Sequence, residues 1–200
     1  MKIKSIVPGL MIIFFLINHS YAQEPKMKTI FNGKNLKGWT VEPEDNIWWT
    51  VEDGKIAVEN DPTKTGSILW TKKKYGDFVF QMDFLMGTGT VDSGIFLRSE
   101  KDQIQIGISG SLQRDMTGSP YIPGKSYPVE AEGVKDILQL KSWNTMKVKM
   151  VDQTYTVWIN GEEVMTYTSE NMPDKGPIGL QLHPNNEMSI QFKNIQVGKL

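Results

Sequence analysis

The chain has 200 residues, with 22 lysines and arginines against 23 aspartates and glutamates, two histidines and no cysteine. The near-neutral balance argues against nucleic acid as a partner, and the lack of cysteine with so few histidines argues against a zinc site. The length suits one domain with a full hydrophobic core, which needs no disulfide support.

The N-terminus has the pattern of a signal peptide. Lys2 and Lys4 precede an apolar run at residues 10–17, and Ser20-Tyr21-Ala22 has the small-x-small sequence that suits a signal peptidase. We therefore expect residues 1–22 to be removed and the mature protein to be periplasmic or secreted. The alternative is an N-terminal anchor that is never cleaved.

The mature chain, residues 23–200, is expected to be one soluble domain with no membrane contact. No later segment approaches the roughly 20 apolar residues that a spanning helix needs. Lipid attachment at the cleavage point would require a cysteine, which the chain lacks.

Alternating apolar and polar residues predict strands along most of this domain, because successive side chains of a strand point to opposite faces. The clearest run has an apolar face formed by Phe78, Phe80, Met82, Phe84 and Met86. In residues 92–98, the same rule puts Ile95 and Leu97 on one face and Asp92 and Arg98 on the other, if the strand is regular throughout.

The next predicted strand, residues 103–108, directs three isoleucines inward and Gln103 and Gln105 outward. A long segment without sustained alternation follows at residues 109–133. It contains Arg114, Tyr121 and Lys125, and loops of this length in compact domains are often functional.

Three further elements complete the prediction. Residues 134–140 have helical spacing for about two turns, which favours a short helix or an ordered loop. Asn160-Gly161, between two alternating runs, predicts a hairpin with a type I′ turn. In residues 178–183, three apolar side chains face inward, so Gln181 and His183 project together from the other face.

These elements predict an all-β fold of two antiparallel sheets packed face to face, with a jelly roll as the favoured topology. The large aromatic residues Trp39, Trp48, Trp49 and Trp143 are interpreted as core residues, as is usual in sandwiches. No repeat or linker divides the domain.

If the polar strand faces lie in one sheet, that sheet presents Arg98, Gln103, Gln105, Gln181 and His183. Amides and guanidinium groups offer paired donors and acceptors to vicinal hydroxyls, and aromatic faces cover the apolar side of a pyranose. This pattern predicts an oligosaccharide or glycoside ligand. We expect no cofactor; Asp92 or Asp115 could contribute to a calcium site, but no ligand-loop spacing supports one.

Several segments, in order, resemble the 3-keto-disaccharide hydrolase domain family, a concanavalin A-like jelly roll frequent in exported bacterial proteins. The resemblance covers about residues 29–200. Its blocks are Phe31-Asn32-Gly33-Lys34-Asn35-Leu36-Lys37-Gly38-Trp39, Trp49-Thr50-Val51-Glu52-Asp53-Gly54, Tyr75-Gly76-Asp77-Phe78, Asp92-Ser93-Gly94-Ile95-Phe96-Leu97-Arg98, Trp143-Asn144, Asn160-Gly161, Gly179-Leu180-Gln181-Leu182-His183 and Phe192-Lys193-Asn194-Ile195.

The resemblance implies a jelly roll that acts on glycosides oxidised at C3 or binds related sugars. Two positions depart from the family pattern. Asp92 stands where the family usually has asparagine, and Gln103 stands where it commonly has glutamate. Because glutamine cannot serve as a general acid or base, a reaction that used that glutamate would need another group here.

The implied reaction assigns roles to the candidate residues. A C3 ketone acidifies the C2 proton, and His183 is the candidate base because histidine titrates near neutral pH. Asp92 is expected to orient a hydroxyl or to act as the alternative base, and Arg98 and Gln105 to stabilise the enolate.

From the long loop, Tyr121, Lys125 and Arg114 are expected to close over the substrate, while Gln103 and Gln181 bind its hydroxyls. Two other functions stay open from the sequence: a glycan-binding module without catalysis, and a protein-interaction sandwich that binds no sugar.

Overall fold

The computed structural model describes residues 25–200, which are almost entirely β-strand and loop. The predicted signal peptide, residues 1–22, lies outside the described residues. Within residues 25–200, no helix has the length and apolar character needed to cross a lipid bilayer.

The strands of residues 25–200 are, in chain order, β1 (Lys28–Thr29), β2 (Trp39–Glu42), β3 (Trp49–Glu52), β4 (Lys55–Glu59), β5 (Ser67–Thr71), β6 (Phe78–Gly89), β7 (Asp92–Leu97), β8 (Gln103–Gly107), β9 (Pro120–Tyr121), β10 (Asn144–Val151), β11 (Thr154–Ile159), β12 (Glu162–Thr168), β13 (Ile178–Leu182) and β14 (Met188–Lys199). A single helical turn, α1 (Val134–Ile137), precedes β10.

The strands form two antiparallel sheets. The large sheet has the order β12-β11-β10-β6-β14-β4-β3, with β1 added at β14, and the small sheet has the order β2-β5-β13-β7-β8-β9. Neighbours in both sheets are mostly distant in sequence, as expected of a jelly roll rather than of a meander. The predicted two-sheet antiparallel sandwich is confirmed.

The core lies between the sheets and is built from the inward-facing side of each strand. Phe78, Phe80, Met82 and Phe84 on β6 have no solvent exposure, while Met86 at the end of the run is partly buried against the same core. Burying such a side chain contributes about 1.5–3 kcal/mol. The apolar face that the alternation predicted for this strand is therefore the face through which burial stabilises the large sheet.

The predicted hairpin joins β11 and β12. Asn160 and Gly161 both have positive φ, 51° and 92°, as a type I′ turn requires. The Asn160 side chain also donates to the Ile137 carbonyl at 2.8 Å and to Asn144 Oδ1 at 2.9 Å, so the turn is fixed to the segment around α1.

Helix α1 is a single turn followed by an ordered loop, in agreement with the short helix or ordered loop predicted for residues 134–140. Leu138 is already extended, with ψ of 127°. The Asn144 side chain accepts from the backbone N–H of Gln139 and donates to the backbone carbonyl of Gln139, both at 2.8 Å. These backbone groups therefore bond to Asn144 instead of continuing the helix. An isolated helix of this length is also marginal by itself.

The tryptophans divide between core and surface. Trp39, Trp48 and Trp49 are 4%, 5% and 3% exposed, as expected of core residues. Trp143 is partly exposed, and the Lys193 Nζ atom lies 3.9 Å from the centroid of its ring.

Candidate functional site

The outer face of the small sheet, opposite the core, carries a group of polar side chains on β13, β7 and β8. Strand register places Gly94 opposite Gln105 and Phe96 opposite Gln103. On these strands Ile95, Ile104 and Leu180 fill the core, so their neighbours project outward. We call this outer side of the small sheet the site face.

Gly94 on β7 leaves room for the side chain of Gln103 to lie across that strand. A Cβ at Gly94 would lie 2.7 Å from the Cγ atom of Gln103 and would collide with its amide. With glycine there, Gln103 Nε2 reaches Gln181 Oε1 at 2.7 Å and the Ser93 carbonyl at 3.3 Å. The two glutamines on β8 and β13 are thus joined into one fixed amide pair.

Asp92, the first residue of β7, is 3% exposed and is held by amide donors. Its Oδ1 accepts from Gln105 Nε2 at 2.8 Å, and its Oδ2 accepts from the Gly110 backbone at 3.0 Å and from Asn186 Nδ2 at 3.4 Å. A buried carboxylate needs such bonds, because an unpaired one costs several kcal/mol. The carboxylate is therefore fixed at the floor of the site.

His183 lies beside this carboxylate, with Nδ1 3.9 Å from Asp92 Oδ2 and 37% of its side chain exposed. The same Nδ1 is 2.7 Å from the Pro184 carbonyl oxygen. Because a carbonyl only accepts hydrogen bonds, Nδ1 must carry the proton, which leaves the lone pair of the neutral ring on Nε2. The local structure thus selects the tautomer that can act as a base through Nε2.

The long loop supplies the other wall of the pocket. Tyr121 and Tyr127 contribute aromatic rings whose centroids are 5.4 Å apart. Burial, with a smaller contribution from the Asp92 carboxylate, raises the pKa of Tyr127 to about 12. Its hydroxyl therefore stays protonated at physiological pH and can donate a hydrogen bond.

Together these groups line a pocket of about 210 Å³, formed by Asp92, Gln103, Gln105, Ser109, Gly110, Ser111, Tyr121, Tyr127, Gln181 and His183. Drug-sized ligands usually occupy about 300–1,000 Å³. The pocket accordingly suits one small polar ring, and it is the pocket that contains the predicted residues Asp92, Gln103, Gln105, Gln181 and His183.

The structure brings together six of the nine residues predicted for the site: Asp92, Gln103, Gln105, Tyr121, Gln181 and His183. Sequence reasoning missed Tyr127 and Asn186. Tyr127 follows Tyr121 in the same glycine-rich loop, and a second aromatic residue there was an available signal.

Arg98 is not in the pocket, which corrects the prediction that it faces the substrate. Strand β7 ends at Leu97, and Arg98 has φ of 59°, so the alternation does not extend to it. The side chain is 2% exposed, and its nitrogens donate to backbone carbonyls and to one carboxylate. The acceptors are Gly76 at 2.6 and 3.0 Å, Asp152 at 2.7 Å, Pro173 at 3.2 Å and Asp77 Oδ1 at 2.9 Å.

Lys125 and Arg114 are also outside the pocket, although both belong to the long loop. Lys125 Nζ pairs with Glu170 Oε2 at 2.6 Å, and Arg114 pairs with Glu130. A bridge between Ile122 and Ser126 closes a turn that carries Lys125 away from the site face. The prediction that these two cations close over the substrate is therefore corrected.

The described residues contain no group of three or more His, Asp or Glu side chains placed to hold a metal ion. Asp92 accepts from amides as above, and Asp115 accepts from the Thr117 backbone at 2.8 Å. The two aspartates considered for calcium thus bind amide groups at separate places.

The sequence of residues 26–198 matches the model of the 3-keto-alpha-glucoside-1,2-lyase-like domain. The match covers almost the whole described chain. No curated protein matches this chain in sequence.

Solved structures with the same fold include carbohydrate-related proteins. A predicted glycosyl hydrolase from Parabacteroides distasonis has a TM-score of 0.66 at 20% identity, over 87% of this chain and 94% of the other. The carbohydrate-binding module CBM66 from Bacillus subtilis has a TM-score of 0.56 at 16% identity, over 81% and 96%. The carbohydrate recognition domain of Emp47p has a TM-score of 0.54 at 15% identity, over 85% and 92%. At these identities the likeness shows the fold.

Proposed function

We propose that this chain, which belongs to the 3-keto-alpha-glucoside-1,2-lyase-like domain family, cleaves glycosides whose C3 hydroxyl has been oxidised to a ketone. One observation carries the proposal beyond the family. His183 is fixed in the tautomer that leaves Nε2 as a base, beside the buried Asp92 carboxylate and within a pocket the size of a single sugar ring.

The proposed reaction begins with proton transfer from C2 to His183 Nε2. The C2–H electrons form the C2=C3 bond of an enolate as the C3 carbonyl oxygen takes the negative charge. The ketone then re-forms, C1=C2 is created and the C1–O bond breaks, and the proton that His183 Nε2 took from C2 passes to the leaving oxygen, so that an alcohol departs and neutral His183 is restored. Water adds its hydroxyl to C1 and a proton to C2, which gives the free 3-keto sugar.

Asp92 has two contributions in this scheme. At 3.9 Å from Nδ1, its negative charge stabilises the imidazolium that forms when Nε2 takes the proton. Its hydrogen bonds to Gln105, Gly110 and Asn186 hold it in place, so the stabilisation requires no reorganisation during the reaction.

Donors for the enolate oxygen are available on two sides of the pocket. Gln105 Nε2 has one N–H on Asp92 and a second that no acceptor among residues 25–200 takes. The Tyr127 hydroxyl stays neutral because burial raises its pKa to about 12. Two oriented donors of this type are what a developing oxyanion needs.

A second candidate function is sugar binding without turnover. Gln103, at the position where the family commonly has glutamate, is tied to Gln181 at 2.7 Å and has no acid–base capacity. Such a fixed amide pair suits recognition of vicinal hydroxyls. The fold shared with carbohydrate-binding modules is compatible with this function as well.

The test is incubation of the purified mature protein with a panel of 3-keto-glycosides and their unoxidised parents, with release of the C1 substituent as the readout. His183→Gln removes the base, and Asn171→Gln changes an exposed amide outside the pocket as the matched control. We expect release from keto forms alone, lost by about 10²–10⁴-fold in His183→Gln and unchanged in Asn171→Gln.

Other outcomes separate the alternatives. Unchanged release in His183→Gln would exclude His183 as the base. Absence of release with every glycoside, combined with a raised melting temperature in their presence, would establish the binding module instead.

We also propose that the protein reaches the periplasm or the medium after removal of residues 1–22. The support is the lysine, apolar and small-x-small pattern of this segment. Sequencing the N-terminus of protein recovered from the extracytoplasmic fraction should give Gln23 first, and recovery only from the cytoplasm with Met1 intact would contradict export.

A further inference from the structure

The site face continues beyond the pocket onto β5, where Trp70 lies opposite Gly179 in the register of the sheet. Gly179 is in turn opposite Phe96 on β7. Trp70 therefore stands on the strand next to the one that carries Gln181, displaced by two residues. Such diagonal neighbours on adjacent strands are about 7–8 Å apart, within the span of a glycosidic linkage and its two rings.

The indole of Trp70 lies against the sheet and is held by contacts at its two ends. A Cβ at Gly179 would lie 2.6 and 2.7 Å from Cζ3 and Cε3, so the six-membered ring rests on backbone that only glycine leaves clear. At the other end Nε1 donates to Glu42 Oε2, on β2, at 2.8 Å. The indole thus lies over Gly179 on the outer side of the small sheet, where Trp70 is only partly buried.

This placement is not explained by core packing. Leu69, the neighbour of Trp70 on β5, points inward and has no exposure, whereas Trp70 is only partly buried on the outer side. Phe96 lies next to it, with ring centroids 5.6 Å apart, and is opposite Gln103 of β8 in the register of the sheet. Trp70 and Phe96 thus lie between Glu42 on β2 and the pocket residue Gln103 on β8.

We propose that Trp70 is the stacking platform for the second ring of a disaccharide whose oxidised ring occupies the pocket; this inference rests on the proposed function. The apolar C–H face of a pyranose covers the outward face of an indole, while its hydroxyls remain at the ring edge. Glu42 stands at that edge as a hydrogen-bond acceptor. Its negative charge selects an uncharged second ring over an acidic sugar.

The kinetic test compares a 3-keto-disaccharide with a methyl 3-keto-glycoside of the same oxidised sugar. Trp70→Leu should lower kcat/KM for the disaccharide by about tenfold and leave the methyl glycoside unchanged. Trp158→Leu is the matched control, because Trp158 is a partly exposed tryptophan on the large sheet, on β11. An equal loss with both substrates, no loss with either, or the same loss in Trp158→Leu would overturn the proposal.

A binding measurement separates this inference from the proposed reaction. Calorimetric titration of the protein with the unoxidised disaccharide and with the unoxidised methyl glycoside measures binding and requires no turnover. The wild type should bind the disaccharide about tenfold more tightly, and Trp70→Leu should remove that difference even if no glycoside is cleaved. Equal affinity of the wild type for both sugars would overturn the platform, whatever the outcome for catalysis.

Glu42→Ala gives a second variant that does not depend on replacing the tryptophan. Glu42 is exposed, so its removal leaves the core intact while releasing the indole from its anchor. We expect the disaccharide preference to fall by about threefold. An unchanged preference would contradict the proposal that the anchored indole is the platform for the second ring.

Discussion

The two ends of β7 each have a buried polar side chain, and they differ in what their hydrogen bonds leave available. Asp92, at the start, is 3% exposed and lines a pocket beside a histidine whose Nε2 stays free to accept. Arg98, just after the end, is 2% exposed, and all three of its guanidinium nitrogens donate to protein oxygens.

This difference distinguishes the candidate site, at the Asp92 end, from a structural junction, at the Arg98 end. At the Arg98 end the donors hold the loops of Gly76, Asp152 and Pro173 together and none is directed to a ligand. At the Asp92 end the hydrogen bonds orient side chains that can still form further hydrogen bonds. Burial and polarity are equal at the two ends, so the unused hydrogen-bonding capacity is the property that identifies the site.

The largest expected effect tests the junction. Arg98→Met should lower the free energy of unfolding by about 3 kcal/mol, because the carbonyls of Gly76, Asp152 and Pro173 and the Asp77 carboxylate lose a buried, charged donor. Chemical denaturation measures the change, with Arg114→Met, an exposed ion-pair residue, as the control that should change little. If Arg98→Met were as stable as the wild type and failed only in sugar binding, the assignment of the two ends would be reversed.

The next effect tests the other end. Asp92→Asn keeps the shape and most hydrogen bonds but removes a charge 3.9 Å from His183 Nδ1. With an effective dielectric constant of about 20 and part of the interaction lost to solvent, we expect about 2 kcal/mol of transition-state stabilisation to disappear, or about 30-fold in kcat/KM. Steady-state kinetics at neutral pH measures it. Full activity in Asp92→Asn would show that the charge is not used.

Tyr127 provides a further test of the site at the Asp92 end. Tyr127→Phe should reduce kcat by about tenfold through loss of one donor to the enolate, with little change in melting temperature. Because burial raises the pKa of Tyr127 to about 12, the wild-type rate should not fall between pH 8 and 10 through ionisation of this hydroxyl. A rate loss in that range that is absent from Tyr127→Phe would contradict the assignment.

A buried carboxyl near the Arg98 end gives the smallest expected effect, and it concerns stability. Asp102 is 1% exposed and accepts from Ser169 at 2.9 Å and Tyr155 at 3.1 Å. Burial raises its pKa above the ordinary 3.8, against the lowering by these two hydrogen bonds.

The raised pKa fixes the sign of the pH dependence. The contribution of protonated Asp102 to stability is fully present below pH 3.8 and is lost as the pH rises through the raised value in the folded state. Asp102→Asn, which cannot ionise, should therefore gain in free energy of unfolding relative to the wild type as the pH increases. Urea denaturation across that range measures the difference, and a constant difference would contradict the burial effect.

Much of the fold and part of the site could be predicted from local sequence. The alternation in β6, the Asn160-Gly161 turn and the outward placement of Gln103, Gln105, Gln181 and His183 all depend on period-2 geometry within one strand. Arg98 was predicted wrongly for the same reason, because the rule holds only while the strand is regular and β7 ends one residue earlier.

The two-sheet sandwich, the family and the sharing of strand faces could be inferred without coordinates, because they follow from alternation, turn chemistry and ordered motifs. The tertiary structure alone decided which strands become neighbours, and hence that Asp92 meets His183 and that Trp70 lies over Gly179. It also decided that Lys125 pairs with Glu170, away from the pocket. Such pairings join residues distant along the chain, and they depend on sheet order and loop path, which no local pattern specifies.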